Sequence, residues 1–418
     1  MSRNFKLFLG AGVLFYIAGS MNEAAALYVM AGVCLACILG CYVISRLGVA
    51  GLNLKVGIRS GTVLAGHDIP LSIRLSNIGL IPRPSVPVSI EVANLTVPVS
   101  QSPYLFPLPG LGPGQSMEVE AGIATIVRGE HTIAAPRLIA SDPLGMFKRA
   151  GLPSEPIFFL CLPRPVHISR EDTTNMLTER TKLQMASHRR RRGEFFGIRP
   201  HEPGDDLRDV HWKMAAHAGE LVVKEYGGGR DFRAALWLDT RAENVIGSGP
   251  DSSFECQVVA TASLVQALTD TNLEIELFGE GLPTSLRMPD RGRSTYHRYL
   301  SALARTKPSG QRAFGTNVGE WAMLVRPGAT VFAITSGVEA ALVAPLRAVA
   351  VRGIGLRVLI CGAGNTDADI RRRQVGVLAT LRAAGVPTVL APSLAELPQA
   401  FSELAAVRRL HVAEGPSS

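Results

Sequence analysis

The first 50 residues contain two long uncharged apolar runs, which are separated by a short polar break. The first run covers residues 7–19, the break covers residues 20–23, and the second run covers residues 24–45. At about 1.5 Å per residue, a helix over the second run reaches about 33 Å, which is enough for a hydrocarbon core of roughly 30 Å. The pattern therefore predicts a transmembrane helical hairpin over residues 1–50.

Two topologies remain open for this region. Arg3 and Lys6 precede a run that ends in small residues, which is also the pattern of a signal peptide followed by a single spanning helix. The hairpin is favoured because Arg46 and Lys55 follow it, whereas the turn carries neither Lys nor Arg. The positive-inside rule then places both ends in the cytoplasm. We expect a two-pass protein of the cytoplasmic (inner) membrane with both termini and the folded domains in the cytosol.

Residues 51–165 show the period-two alternation of strands. It is clearest in residues 69–76, 86–93 and 117–124, and turn-forming segments such as 77–79 and 109–114 separate these runs. Short alternating runs divided by Gly-rich and Pro-rich turns are typical of an antiparallel β-sandwich. We predict a small sandwich over residues 51–165.

The pattern changes to an alternation of short buried strands and helices over residues 231–418. The expected strands are 234–238, 273–278, 330–335, 356–361 and 388–391. The segments with helical apolar spacing are 255–269, 338–351, 369–384 and 394–410. Such alternation predicts a doubly wound parallel sheet with helices on both faces. Residues 166–230 form the connection, and we expect a polar helix over residues 173–187 within it.

Composition and charge support a folded, membrane-associated protein. The 418 residues are 47% hydrophobic and carry a net charge of +8, which suits an anionic surface such as membrane lipid or nucleic acid. The basic run Arg189, Arg190, Arg191 and Arg192 is interpreted first as a solvated linker, with lipid contact and nucleic-acid binding as the alternatives. We expect cytoplasmic-membrane lipid as a partner and no nucleic acid. The six scattered cysteines form no disulfide framework and indicate a reducing compartment.

Residues 193–226 resemble the signature of a bacterial family called domain of unknown function 58. The matching positions are Gly193, Glu194, Phe195, Arg199, Gly204, Asp205, Arg208, His211, Trp212, Lys213, Leu221, Val223 and Lys224. His201 and the pair Ala216-His217 depart from the usual pattern. Residues 127–148, with Ser141-Asp142-Pro143-Leu144-Gly145-Met146-Phe147, resemble the elements that precede the signature in this family.

The residues of the signature allow a physical interpretation of their own. Gly204 and Asp205 predict an N-cap, after which residues 206–218 are expected to form a helix. On that helix Arg208 and Trp212 share a face, as do Asp209 and Lys213. One hypothesis is a buried polar clasp that holds this helix to the sheet through Arg199, Asp205, Arg208 and Trp212; the other is a partner or anion site that also includes Gly204, His211 and Lys213.

The resemblance implies a von Willebrand factor A-like domain after the signature. Domains of that kind often hold Mg²⁺ through oxygen ligands in the pattern D-x-S-x-S, with a Thr and an Asp from later loops. In this sequence Arg241 and Glu243 replace the two serines after Asp239, Thr316 is kept, and Ser336 stands where Asp is usual. The metal site therefore looks degenerate, and we expect no metal and no cofactor. A guanidinium beside Asp239 can replace a cation by charge.

No enzyme signature is recognised in the chain. The P-loop pattern, H-E-x-x-H and G-x-S-x-G are all absent from the sequence, and Gly362-Ala363-Gly364 is interpreted as an ordinary strand-to-helix turn. We expect a non-enzymatic adaptor or scaffold whose docking face is formed by the loops near Asp239, Thr316 and Ser336. The resemblance implies a MoxR-type AAA+ ATPase as partner in envelope assembly, maturation or stress functions. The alternative is a hydrolase or transferase acting on cell-envelope material, with Asp205, His211 and Asp239 in acid–base roles.

Overall fold

The computed structural model describes most of the chain. The described residues are 2–83, 86–93, 104–124, 127–178, 181, 195–200, 210–226, 233–271, 273–288, 293–326 and 328–407. Contacts divide the chain into two compact units, Met1–Leu162 and Pro163–Ser418. The basic run at 189–192 and the signature residues Gly204, Asp205 and Arg208 lie outside the described residues, as does the side chain of Arg199.

The first unit begins with two apolar helices, α1 (Arg3–Asn22) and α2 (Ala25–Val49), and both are long and apolar enough to cross a membrane. Helix α1 starts four residues before the apolar run. Its 20 residues therefore reach about 30 Å. Glu23 adopts the left-handed conformation, with φ of 49°, and so reverses the chain between the helices. The helices pack closely, because a Cβ at Gly12 would lie 3.3 Å from the Cβ of Cys34.

Nine strands follow the hairpin among the described residues of the first unit. They are β1 (Leu52–Ile58), β2 (Thr62–Leu64), β3 (Asp68–Asn77), β4 (Val86–Ala93), β5 (Tyr104–Leu108), β6 (Ser116–Ala124), β7 (Gly129–Ser141), β8 (Lys148–Ala150) and β9 (Ile157–Leu162). One sheet has the order β1-β3-β6; the other has the order β2-β9-β7-β4-β5, with β8 paired to β7. The three strands expected from alternation are all present. The expectation of a wholly antiparallel fold is wrong at one edge, because β2 and β9 pair in parallel.

The sandwich core follows directly from the alternation. On β3 the side chains of Ile69, Leu71, Ile73 and Leu75 are buried, whereas most of the intervening residues are exposed or half-buried. They pack with the inward-facing residues of the second sheet, among them Val88, Ile90, Ile133 and Leu138. Period-two burial of this kind is what two facing sheets require.

The turn after β7 fastens the hairpin to the sandwich. The buried carboxylate of Asp142 accepts the backbone N–H groups of Leu144, Met146 and Phe147 at 3.0, 3.1 and 2.6 Å. Burial alone would raise the pKa of Asp142, but the N–H groups of Phe147 and Met146 outweigh it and hold the pKa below its usual value. The ring of Phe147 then packs edge-on against Phe5 of α1 and Tyr42 of α2, with centroid separations of 5.5 and 5.7 Å.

The second unit is built around parallel strands. Its described strands are β10 (Phe195–Pro200), β11 (Val222–Tyr226), β12 (Arg233–Leu238), β13 (Glu274–Phe278), β14 (Thr330–Thr335), β15 (Gly355–Cys361) and β16 (Thr388–Ala391). Its described α-helices are α3 (Arg170–Met176), α4 (Trp212–Ala218), α5 (Ser253–Asp270), α6 (Arg293–Arg305), α7 (Phe314–Leu324), α8 (Val343–Val351), α9 (Ala368–Ala383) and α10 (Leu397–Ala406). Short 3₁₀ turns cover Ala242–Asn244, Gly249–Asp251, Thr284–Arg287, Ala340–Leu342 and Leu394–Glu396.

Five of these strands form one parallel sheet in the order β13-β12-β14-β15-β16, while β10 and β11 form a separate antiparallel pair. Every residue from Ala234 to Leu238 is buried, so both faces of the sheet are covered. Trp237 packs in a cluster with residues of α7, α8 and α9, and α5 packs against β12, β13, β14 and β15. The predicted α/β layering is therefore present.

Two helix predictions in the connecting region are corrected in part. Where a helix was expected over residues 173–187, a helix begins earlier, at Arg170, is capped by Ser169, and ends at Met176 because Leu177 is extended; residues 179–180 and 182–187 lie outside the described residues. The helix expected over residues 206–218 is Trp212–Ala218. Val210 forms an antiparallel bridge with Val223, so a continuous helix cannot pass through it. The expected pairings of Arg208 with Trp212 and of Asp209 with Lys213 involve Arg208 and Asp209, which lie outside the described residues.

Candidate functional site

The first and third strands of the parallel sheet end side by side. Leu238 of β12 pairs with Ile334 of β14, so Asp239 and Thr335 meet at the carboxyl edge of the sheet. The chain leaves β12 for β13 on one side and later returns to β14 on the other, which makes this edge the topological switch point. Open α/β sheets usually bind their ligands at such a point. The sequence prediction of a site at Asp239 therefore falls on the position that the topology favours.

The carboxylate of Asp239 is held entirely by neighbouring protein groups. Its Oδ2 accepts from the amide of Asn244 at 2.9 Å and from the hydroxyl of Thr335 at 2.8 Å, and its Oδ1 accepts the backbone N–H of Arg241 at 3.1 Å. The residue is only 2% exposed. Burial raises the pKa of Asp239 above its usual value, and the bonds from Asn244, Thr335 and Arg241 oppose that shift.

Arg241 contributes its backbone N–H to that carboxylate. Its guanidinium forms ion pairs with Glu339 and with Glu243. Glu339 lies just after β14, so the pair with Arg241 spans the switch point. The positive charge that the sequence analysis placed beside Asp239 is thus paired with two other carboxylates.

Two glutamines hold the backbone of Ser336. The side-chain amide of Gln257 donates to the carbonyl of Asp239 at 2.8 Å and accepts the N–H of Ser336 at 3.2 Å. The amide of Gln374 donates to the carbonyl of Ser336 at 2.7 Å. Ser336 is fully buried, and its hydroxyl has no hydrogen-bond partner among the described residues. Neither glutamine was predicted from the sequence, because both lie on helices outside the two strand ends and carry no local motif.

Thr316 is placed differently from Asp239 and Ser336. It lies exposed in the first turn of α7, and its N–H bonds to the carbonyl of Ala313. None of the contacts that the structure describes joins its hydroxyl to Asp239. Within the described residues, no group of three or more His, Cys, Asp and Glu side chains is arranged to hold a metal ion.

A further carboxylate stabilises the loop beside the switch point. Glu280, which follows β13, accepts the backbone N–H groups of Gln311 and Arg312 at 3.2 and 3.1 Å. Burial alone would raise its pKa, but the N–H groups of Gln311 and Arg312 outweigh it and hold the pKa of Glu280 below its usual value. This carboxylate fixes residues 310–312, where Gly310 donates to the carbonyl of Thr240 at 2.8 Å. Sequence reasoning did not find it, because an Asp or Glu after a strand has many possible roles.

The described part of the signature forms a short helix fixed to a strand. His211 caps α4, since its Nδ1 accepts the N–H of Met214 at 3.3 Å. Its own N–H donates to the carbonyl of Val222 in β11 at 2.8 Å, next to the bridge between Val210 and Val223. Gly219 ends the helix with φ of 73°. The start and the end of α4 are therefore both fixed.

Trp212 is the first residue of this helix, and it is 63% exposed. The clasp hypothesis required Trp212 to be buried against the sheet, so that part of the hypothesis is wrong. Lys213 and Met214 are exposed as well. The other proposed members of the clasp, Arg199, Asp205 and Arg208, lie outside the described side chains.

The turn Gly362-Ala363-Gly364 gives a matched pair of test positions. A Cβ at Gly362 would collide with the backbone carbonyl of Pro392, whereas a Cβ at Gly364 meets nothing within 4 Å. We expect Gly362→Ala to lower the free energy of unfolding by about 2 kcal/mol, since the clash is with backbone that cannot move aside. Gly364→Ala should change it by less than about 0.5 kcal/mol. Equal changes in the free energy of unfolding for the two variants, measured by chemical denaturation, would contradict the close approach of Gly362 to the carbonyl of Pro392.

The sequence comparisons bear on the region that contains both sites. A family model described as "Protein of unknown function DUF58" matches residues 197–359, from the signature through the switch point to β15. This region of the chain matches the DUF58 family. The match confirms the resemblance carried by the signature residues, and it includes Trp212, Asp239, Thr316 and Ser336. Among curated proteins, none matches the sequence significantly.

Solved structures add little to the DUF58 match. An alkylpurine DNA glycosylase, AlkC, from Pseudomonas fluorescens is 12% identical, with a TM-score of 0.19, over 36% of this chain and 43% of that chain. A β-glucosidase from Kluyveromyces marxianus is 12% identical, with a TM-score of 0.15, over 27% of this chain and 15% of that chain. The match spans less than half the length of each. TM-scores this low support no conclusion about fold or function.

Proposed function

We propose that this DUF58 chain is a non-enzymatic, membrane-anchored adaptor whose α/β domain binds a partner protein. The N-terminal hairpin supplies a two-pass anchor with the folded units in the cytosol. The strand order, with an Asp at the switch point, supports a von Willebrand factor A-like assignment for the second unit. The partner class implied by the family resemblance is a MoxR-type AAA+ ATPase that acts in envelope assembly, maturation or stress functions.

The exposed Trp212 is the observation that carries this proposal. A large aromatic side chain in water is unfavourable for a monomer, and Trp is among the residues most enriched at the centres of protein interfaces. The side chain stands on a helix whose two ends are fixed, so little ordering is required when a partner binds. Trp212 is therefore the centre of the proposed docking surface.

The network around Asp239 supports a structural role for the switch point. A general acid or base must reach a substrate, and Asp239 is buried with both carboxylate oxygens already used. Mg²⁺ requires several oxygen ligands that are free to coordinate it, and here Arg241 adds a cation while pairing with Glu339. These residues do not fit a magnesium site. The proposed role of the network is to fix the loops after β12 and β14.

This role predicts that magnesium does not stabilise the protein. An ion that binds only the native state raises the free energy of unfolding by about 2.7 kcal/mol at a hundredfold excess over its dissociation constant. We expect the midpoint of thermal unfolding to be the same in millimolar Mg²⁺ as in a buffer whose ionic strength is matched with NaCl. A rise in the wild type that is absent in Asp239→Asn would place Mg²⁺ at this carboxylate.

The adaptor proposal is tested by affinity capture from detergent-solubilised native membranes, with and without ATP and Mg²⁺. Wild type is compared with Trp212→Ala, with the exposed apolar control Met323→Ala, and with Glu243→Lys on the switch-point face. Truncation of an interface Trp typically costs 2 kcal/mol or more, which is roughly a 30-fold loss of affinity. We expect an AAA+ ATPase to be recovered with wild type and Met323→Ala, and to be lost with Trp212→Ala.

Three other outcomes have distinct meanings. Loss with Glu243→Lys alone moves the docking surface to the switch-point face. Equal recovery with all four proteins excludes both surfaces. Recovery of no ATPase with any of them overturns the assignment of the partner class. Thermal midpoints within one degree of wild type are required of each variant, so that unfolding does not imitate loss of binding.

A further inference from the structure

We propose that the β-sandwich itself lies on the membrane, where a ring of exposed apolar side chains around the base of the hairpin inserts into an anionic lipid surface. This apolar collar consists of Ile78, Leu80, Ile81, Leu144 and Leu152. The inference rests on the proposed membrane anchoring and adds a second lipid-binding surface to it.

Three loops of the sandwich meet the ends of the hairpin. In the first, residues 78–83, the N–H of Ile78 donates to the carbonyl of Gly51 at 2.8 Å, and Arg83 donates to the carbonyl of Leu47 in α2 at 2.6 Å. In the second, residues 143–147, the backbone carbonyl of Leu144 accepts a hydrogen bond from the side-chain amide of Asn4 in α1 at 2.7 Å. The loop after β8 is the third, since a Cβ at Gly151 would lie 3.6 Å from the Cβ of Val49.

Each of these loops exposes large apolar side chains. Leu80 is 93% exposed and Leu152 is 87% exposed, and Ile78, Ile81 and Leu144 are exposed as well. Isolated exposed apolar residues are ordinary, but a group gathered on three loops at one end of a domain indicates an interaction surface. The lipid-facing surface of the hairpin is continuous with this end, which identifies the occupant as the bilayer.

The height of the collar relative to the membrane follows from helix length. Helix α2 has 25 residues and reaches about 37 Å, which exceeds a hydrocarbon core of roughly 30 Å by about one turn. Its last turn carries Arg46, a residue that belongs at the level of the headgroups. The contacts of Leu47 and Gly51 with the first loop therefore place Leu80 at the same level.

The charge around the collar is complementary to anionic lipid. Segments 3–6, 46–51, 78–83 and 143–152 together contain six Lys or Arg residues and no Asp or Glu. The six are Arg3, Lys6, Arg46, Arg83, Lys148 and Arg149. Basic residues that surround apolar side chains at the end of a spanning helix are attracted to a negatively charged leaflet.

The test uses the full chain in vesicles of phosphatidylethanolamine and phosphatidylglycerol, with p-benzoylphenylalanine introduced at one position at a time. Leu80 probes the collar, Val13 probes the hairpin, and Phe158 is the matched control. Phe158 is an apolar residue, 71% exposed, that pairs with Thr132 of β7. That position is about 26 Å along the strand from Ala140, which packs against Gly48 of α2.

We expect lipid adducts after irradiation at Val13 and at Leu80, and none above background at Phe158. Replacing phosphatidylglycerol with phosphatidylcholine should lower the yield at Leu80 several-fold and leave Val13 unchanged. Adducts at Val13 without adducts at Leu80 would overturn the collar and leave the anchor intact. Absence of adducts at both positions would overturn the anchor as well. Equal yields at Leu80 in the two lipid mixtures would overturn the preference for anionic lipid.

Discussion

Replacing Trp321 with Ala should lower the free energy of unfolding of the α/β unit by about 3–5 kcal/mol, which is the usual cost of removing a buried Trp or Phe side chain. Trp321 is 4% exposed, and its ring lies 6.3, 5.9 and 6.1 Å from the rings of Trp237, Phe278 and Phe314. The substitution therefore removes one member of an aromatic cluster and leaves a cavity that three rigid rings cannot fill. Chemical denaturation followed by circular dichroism measures the loss.

Trp212→Ala is the matched control for this prediction. The residue type and the substitution are the same, but Trp212 is mostly exposed, so its removal should change stability by less than about 0.5 kcal/mol. Hydrogen exchange localises the effect, because Trp321→Ala should accelerate exchange in β12 and β14 and not in the sandwich strands. A similar loss of unfolding free energy in the two variants would mean that Trp212 is buried in solution, as the clasp hypothesis requires.

Sequence reasoning succeeds where the signal for burial is local. Trp237 and the strand around it form a continuous apolar run, so its burial was predicted from the pattern alone. The same is true of β3, where alternation gave both the strand and its inward face. Such signals are local, and a few neighbouring residues are enough to carry them.

The helix at the signature was misplaced for a physical reason. Residues 206–218 are polar and compatible with a helix, and Asp205 is a good N-cap residue. The structure instead uses Val210 in a bridge to Val223, a pairing across thirteen positions that no local propensity reveals. A tertiary contact of β-branched residues therefore displaced the helix start to Trp212, and His211 became the cap.

Only those parts of the candidate site that have a local signal in the sequence were predicted. Asp239 follows a buried strand, which is a local signal that places it at the carboxyl edge of the sheet. Its partner Thr335 follows another such strand and is predictable from the parallel topology. Gln257 and Gln374 reach the site from α5 and α9, and Glu339 reaches it from the loop after β14, so their part in it required coordinates. Thr316 matched a sequence pattern, and the structure places it on the exposed first turn of α7.

Asp239→Ala should lower the free energy of unfolding by about 3 kcal/mol, because it leaves the amide of Asn244 and the hydroxyl of Thr335 buried without an acceptor. Asp239→Asn keeps the shape and one acceptor oxygen, so its cost should be nearer 1 kcal/mol. Glu243→Ala serves as the control on the same loop, since that side chain is largely exposed and should contribute less than about 0.5 kcal/mol. A loss in Asp239→Ala as small as that of the control would contradict the network.

The pH dependence of stability shows whether burial of the Asp239 carboxylate or the hydrogen bonds to it have the larger effect on its pKa. Burial raises the folded-state pKa of Asp239 above the unfolded value of about 3.9, so the folded protein binds this proton more tightly than the unfolded chain does. The resulting stabilisation is fully present below the unfolded pKa and is lost as the pH rises through the folded pKa. The stability of wild type relative to Asp239→Asn should therefore fall as the pH is raised above about 4. If the stability of wild type relative to Asp239→Asn instead rises as the pH is raised above about 4, the hydrogen bonds to the carboxylate outweigh its burial.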